Sequence, residues 1–148
     1  MKENNFNEIK ERYDRECQEA LKKTGIFYAF SNEQFEKYRT YKEESSDGDY
    51  VYVGAGAYIH KKDKNNLDEY FNVILPGLKK RFINSINIDD LIEYELINHE
   101  CYYTGDFYEI VPVIESYLNS DISQRCDITE QIEMVYRKNY KKSVEMFG

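Results

Sequence analysis

Asn98-His99-Glu100-Cys101, followed by Thr104-Gly105-Asp106, is the stretch of this 148-residue chain where side chains able to hold a metal or move a proton crowd together. An imidazole, a thiol and carboxylates are the donor types of zinc sites, and a cysteine beside a histidine is the pairing that activates a thiol nucleophile. The spacing restrains both ideas. In H-E-x-x-H two histidines lie one helical turn apart on one face, whereas here Tyr103 stands where the second would be. A Cys-His couple also needs an orienting third group and a pocket. Two readings stay open: a small-molecule or metal site at His99, Glu100 and Asp106, making the protein a hydrolase or ligand sponge, or a histidine capping a helix C-terminus with help from the helix dipole. No catalytic residue is assigned, no cofactor is expected, and the reading favours a protein that is not an enzyme.

The other chemical features are weaker. Gly54-Ala55-Gly56-Ala57 has the look of a phosphate loop, but Ile59 occupies the third glycine position of G-x-G-x-x-G and no Lys-Ser/Thr pair follows. Lys61, Lys62 and Lys64 read as a solvated connector, and His60 reads as exposed and without a role. Spacing justifies no Ser-His-Asp set. Three cysteines, Cys17, Cys101 and Cys126, are an odd number with no C-x-x-C, so they build neither a disulfide framework nor a zinc ribbon. Reduced thiols in a cytoplasmic protein are expected.

Periodicity supplies the elements that would position these groups. Phe6, Ile9, Tyr13, Cys17, Ala20 and Leu21 recur at three- and four-residue spacing, predicting a helix over about 3–24 that stops at Gly25. Ile26 to Phe30 reads as a buried strand. Ser31 with Gln34 forms a capping box, with Phe30 and Phe35 as its hydrophobic staple, opening a helix to about Tyr41 whose inner side is Phe35, Tyr38 and Tyr41. Tyr50 to Val53 alternates like a strand, and the glycine-alanine run makes a hairpin or a bulge before Tyr58-Ile59. Lys61 to Asn66 is a polar connector. Leu67 to Phe82 has helical spacing, kinked or split at Pro76-Gly77. Further helices are predicted from Asp89 to about Glu100, from Asp106 with Pro112 inside its pattern, and from Asp127 to about Lys142. The sum is an α+β fold in one domain, residues 1–148, with a small antiparallel sheet of two to four strands packed by five or six helices.

Charge is the most informative global property. The chain has 20 basic and 28 acidic residues, yet residues 89–130 alone hold 11 acids against a single cation, Arg125. Direct nucleic-acid binding needs clustered Lys and Arg, so it is not expected. An acidic surface attracting a basic protein partner is expected instead, with Glu93, Glu95, Glu109, Glu115, Tyr102 and Tyr103 as its contacts. The alternative is that Asp89, Asp90, Asp106 and Asp127 are helix caps and the rest a solvated face. Fifteen tyrosines and no tryptophan suit a binding surface, or a compositional bias toward Tyr, Lys, Asn and Ile. At 41% hydrophobic, 32% charged and a mean hydropathy of -0.78, no membrane segment is expected, and a homo-oligomer is left open.

Three segments carry a resemblance: Phe27-Tyr28-Ala29-Phe30-Ser31-Asn32-Glu33-Gln34-Phe35, the glycine-alanine strand Val53 to Ile59, and Asn98-His99-Glu100 followed by Thr104-Gly105-Asp106. Over roughly residues 20–118 the chain resembles small uncharacterised proteins of phages and mobile elements of gut-type bacteria that carry A-F-S-N-x-Q-F and N-H-E...T-G-D segments. Cys101 stands where that pattern has an aromatic residue. The resemblance brings no activity. It implies an accessory protein in the conflict between mobile elements and hosts, acting by stoichiometric contact on a nucleic-acid-targeting defence protein, as anti-CRISPR inhibitors do.

Overall fold

The computed structural model describes the backbone of residues 2–118 and 122–147, and side chains over 5–118 and 128–140. It is α+β, with a three-stranded antiparallel sheet in the order β1-β3-β2 among otherwise helical elements. The chain divides into two compact units, Glu11–Leu78 and Met1–Lys10 with Lys79–Gly148. Among the described residues no helix is long and apolar enough to cross a membrane.

The 11–78 unit holds the sheet. Helix α1 (Lys2–Lys22) ends in a turn where Thr24 Oγ1 donates to Leu21 O at 2.6 Å, and Gly25 has φ +98°. A Cβ there would overlap the carboxylate of Asp63, so glycine is required both for its backbone conformation and for space. Strand β1 (Phe27–Tyr28) is shorter than the predicted run, although Ala29 N–H still reaches Gly56 O at 2.9 Å. Helix α2 (Asn32–Tyr38) starts as the sequence dictates. Ser31 Oγ accepts from Gln34 N–H at 3.1 Å, and Gln34 Oε1 accepts from Phe30 N–H at 2.8 Å.

The staple partner differs from expectation. Phe35 packs with Phe27, Tyr50 and Tyr58, while Phe30 is 76% exposed with its ring over Gly56. The helix also stops at Tyr38, because Arg39 is extended and Tyr41 adopts a left-handed φ of 52°, which leaves Tyr38 exposed and puts Tyr41 outside the helix, partly exposed. Strands β2 (Tyr50–Gly54) and β3 (Ala57–His60) form the hairpin, with a register irregularity between Tyr52 and Gly54. Positive φ at both Ala55 (52°) and Gly56 (80°) marks a type I′ turn, the one whose twist matches paired strands.

The expected connector at Lys61–Asn66 is already helical: a 3-10 turn at Lys61–Asp63 leads into α3 (Lys64–Glu69). A π turn at Tyr70–Ile74 then precedes α4 (Leu75–Ser85), with Leu75 N–H bonded to Tyr70 O. Pro76 therefore falls in the first turn of α4, and the helix changes pitch there without breaking.

The other unit is helical. Helix α5 (Ile88–Asn98) buries Leu91, Ile92 and Leu96 and packs on α6 (Cys101–Thr104), α7 (Val111–Tyr117) and α8 (Ile122–Phe147), which contributes Ile132 and Val135. Phe6 packs against Phe82 and Tyr94. The cap of α5 is Asn87, whose side chain accepts from Asp89 N–H at 3.0 Å; Asp89 lies in the first turn and its carboxylate accepts instead from Gln131 Nε2. Asp106 opens no α-helix directly. Its Oδ1 accepts from Tyr108 N–H at 3.1 Å, turning the chain into a 3-10 turn at Tyr108–Ile110, after which Pro112 sits in the first turn of α7, where a proline is tolerated. Helix α8 begins at Ile122, so Asp127 is inside it and does not start it; the side chains of Asp127 and Cys126 lie outside those described.

Candidate functional site

The acidic segment folds into α5, α6 and the turn before α7, and burial sorts its carboxylates. On α5 the positions 91, 92, 95 and 96 form one helical stripe, so Glu95 is carried inward with Leu91, Ile92 and Leu96 and is only 5% exposed. This corrects its expected place on a partner-binding surface. Its facing group is His99, whose Nε2 lies 3.3 Å from Glu95 Oε2 and whose Nδ1 lies 3.7 Å from Glu109 Oε1. His99 is the C-cap residue of α5 and is half-buried, in line with the capping reading.

Glu93 is also occupied: its Oε2 accepts from the Tyr102 hydroxyl at 2.5 Å and from Asn139 Nδ2 at 2.9 Å. Burial, and after it the hydrogen bond to Glu93 and that carboxylate's charge, hold the Tyr102 phenol far above its ordinary range. Its ring stacks on Tyr136, with centroids 5.2 Å apart and planes 6° from parallel. Glu115 is half-buried. Of the expected partner contacts, Tyr103, at 91% exposed, and Glu109 stand clear of the surface.

The expected ligand set is only partly brought together. Glu100 is exposed with a left-handed φ of 56°, Asp106 is exposed and engaged with the backbone of Tyr108, and the carboxylates at His99 are those of Glu95 and Glu109. Among the described residues no group of three or more His, Cys, Asp or Glu side chains could hold a metal ion. Cys101 is fully buried, and that burial, reinforced by the charges of Glu109 and Asp106, pushes its thiol up to about 11. A thiol so protonated is a poor nucleophile.

What results is a corner, residues 97–109, that is rich in exposed apolar side chains and acids. Ile97, Tyr103 and Tyr108 are exposed, as are Glu100, Asp106 and Glu109 in the same stretch of chain. Tyr108 stacks on Phe107 at 4.5 Å, and Phe107 packs on Tyr136 at 5.1 Å. Residues 89–118 contain no Lys or Arg to neutralise these carboxylates.

A second polar cluster, in the 11–78 unit, escaped the sequence reading. His60 is buried, not exposed, and packs between Tyr41 at 4.7 Å and Tyr50 at 5.1 Å. Its Nδ1 accepts from Lys62 N–H at 3.0 Å, so in the neutral ring Nε2 carries the proton and donates to Ser45 Oγ at 2.7 Å. A histidine held in that tautomer does not take a proton from Ser45, and the pair fastens the loop before β2 to the end of β3. Below it, Tyr41 donates its hydroxyl to buried Asp63 at 3.0 Å; that bond and then the carboxylate's charge raise the Tyr41 phenol. The pairing of Tyr50 with His60 across the hairpin is what buries the imidazole, a register no local spacing announces.

Compared with known proteins, residues 8–141 match a family of unknown function, DUF7659, and the chain belongs to that family. No curated protein matches it. No solved structure matches it either.

Proposed function

From membership of a family without an assigned activity, we propose that this protein is an acidic accessory protein of a phage or mobile element that works by stoichiometric binding to a basic host protein, and that its target is a nucleic-acid-handling defence effector, as for an anti-CRISPR inhibitor. The observation that carries this reading is the corner at residues 97–109, where Tyr103 and Tyr108 stand exposed among Glu100, Asp106 and Glu109 with no Lys or Arg from 89 to 118. Aromatic side chains are enriched in protein interfaces, and exposed carboxylates steer a basic surface toward them. A protein that competes for a nucleic-acid groove needs no catalysis, only negative charge held where phosphates would lie.

The test is capture of the partner from bacterial lysate at about 0.1 M and 1 M salt, where the Debye length falls from ~10 Å to ~3 Å. The natural chain is compared with a Glu100→Lys, Asp106→Lys, Glu109→Lys variant, which spares buried Glu95 and hydrogen-bonded Glu93. A basic nucleic-acid-handling protein retained at low salt, released at high salt and lost with the variant is the expected result. Equal capture by both chains overturns the reading.

A further inference from the structure

We infer that the corner at residues 97–109 recognises arginine in preference to lysine, with Tyr108 as its stacking platform; this rests on the acidic-surface reading above and specifies the partner's chemistry. One face of the Tyr108 ring is covered by Phe107, 4.5 Å away at 26°, and Phe107 is in turn backed by Tyr136. The phenol ring is therefore held from behind by packed rings while the residue remains 61% exposed, which leaves an aromatic face toward solvent in a fixed orientation. Cations of this chain already sit over Tyr94, Tyr38 and Tyr41, and among the described residues none is placed over Tyr108.

The carboxylates that neighbour Tyr108 in the chain supply the second half of a guanidinium site. Asp106 is exposed and accepts from the Tyr108 backbone N–H at 3.1 Å, and Glu109, also exposed, has its Oε1 3.7 Å from His99 Nδ1, so acids flank Tyr108 on both sides in the chain. A guanidinium is planar, weakly hydrated and forked, so it can lie flat on a ring while its N–H groups reach carboxylates at the ring edge. An ammonium is a compact, strongly hydrated point charge that gains the carboxylates but much less from the ring. Charge complementarity thus selects a cationic partner, and the held ring selects arginine within that class.

The experiment titrates the full chain with an oligo-arginine peptide and an oligo-lysine peptide of equal length, following backbone amide NMR shifts at low and moderate salt. The arginine peptide is expected to bind ~threefold or more tighter, the order of an exposed cation–π contact, with shifts centred on 106–109. Tyr108→Leu should erase the preference and Tyr108→Phe should keep it, with thermal melts confirming that both variants fold. Equal affinity for the two peptides, or a preference that survives Tyr108→Leu, overturns the arginine site while leaving the acidic-surface reading standing. If neither peptide binds, both fail.

Discussion

The Tyr102 hydroxyl donates to Glu93 Oε2 at 2.5 Å, and this bond converts a carboxylate that the charge pattern assigns to the surface into part of the packing between α6, α5 and α8. The distance is that of a charge-assisted O–H···O⁻ bond. Tyr102→Phe keeps the ring stacked on Tyr136 and removes only the donor, leaving Glu93 with Asn139 alone. The expected cost is about 1.5–3 kcal/mol in denaturant unfolding, the range for a hydrogen bond to a charged group. A change within a few tenths of a kcal/mol would mean that water replaces the phenol at no cost.

His99 and Glu95 make a second test, because a carboxylate only 5% exposed faces an imidazole at 3.3 Å. Removing the imidazole leaves the buried Glu95 carboxylate without its facing group, and the partial exposure of His99 tempers the penalty by letting water in. His99→Ala should lower stability by roughly 1–2 kcal/mol, with Glu95→Gln partly restoring it in the double variant. Additive losses in the double-mutant cycle would show that the two side chains do not interact.

Much of the fold was legible because its signals are local. Ser31 and Gln34 cap α2 through two hydrogen bonds that the spacing alone specifies, and Gly25 stops α1. The stripe of Leu91, Ile92 and Leu96 was also readable, and it carries Glu95 inward by the same arithmetic; the sign of its charge suggested a surface position that helix geometry denies it. His60 was not legible, because its burial depends on the Tyr50 pairing across the hairpin and on Tyr41 taking a left-handed backbone. Asn87 displaced Asp89 as the α5 cap since either residue type can cap, and only the backbone decides which stands outside the helix.

The buried thiol of Cys101 sets an alkaline limit. Its folded-state value of about 11 lies above the ordinary 9.0, so the native state keeps a proton that the unfolded state loses. That contribution is fully present below the unfolded value and declines as pH rises from about 9 toward 11. Stability measured across this interval should fall, and less steeply in Cys101→Ala once its lower starting stability is taken into account. In the native protein near pH 8, mass spectrometry after iodoacetamide should find Cys17, which is half-buried, modified before Cys101. Early modification of Cys101 would mean that its helix opens readily.

The hairpin offers a gain in place of a loss. Ala55 holds φ 52° in a type I′ turn, a conformation in which its Cβ meets the following carbonyl, whereas asparagine is several-fold enriched there. The residue is exposed, so a longer side chain has room there. Ala55→Asn should therefore raise stability by about 0.5–1 kcal/mol. Gly56→Ala should do the opposite and by more, since φ is 80° there and a Cβ would overlap the Phe30 ring. Because Phe30 is itself exposed, its ring can swing away, and the loss should shrink in a Phe30→Ala background. If Gly56→Ala costs the same with and without Phe30, backbone strain alone accounts for the glycine and the ring contact contributes nothing.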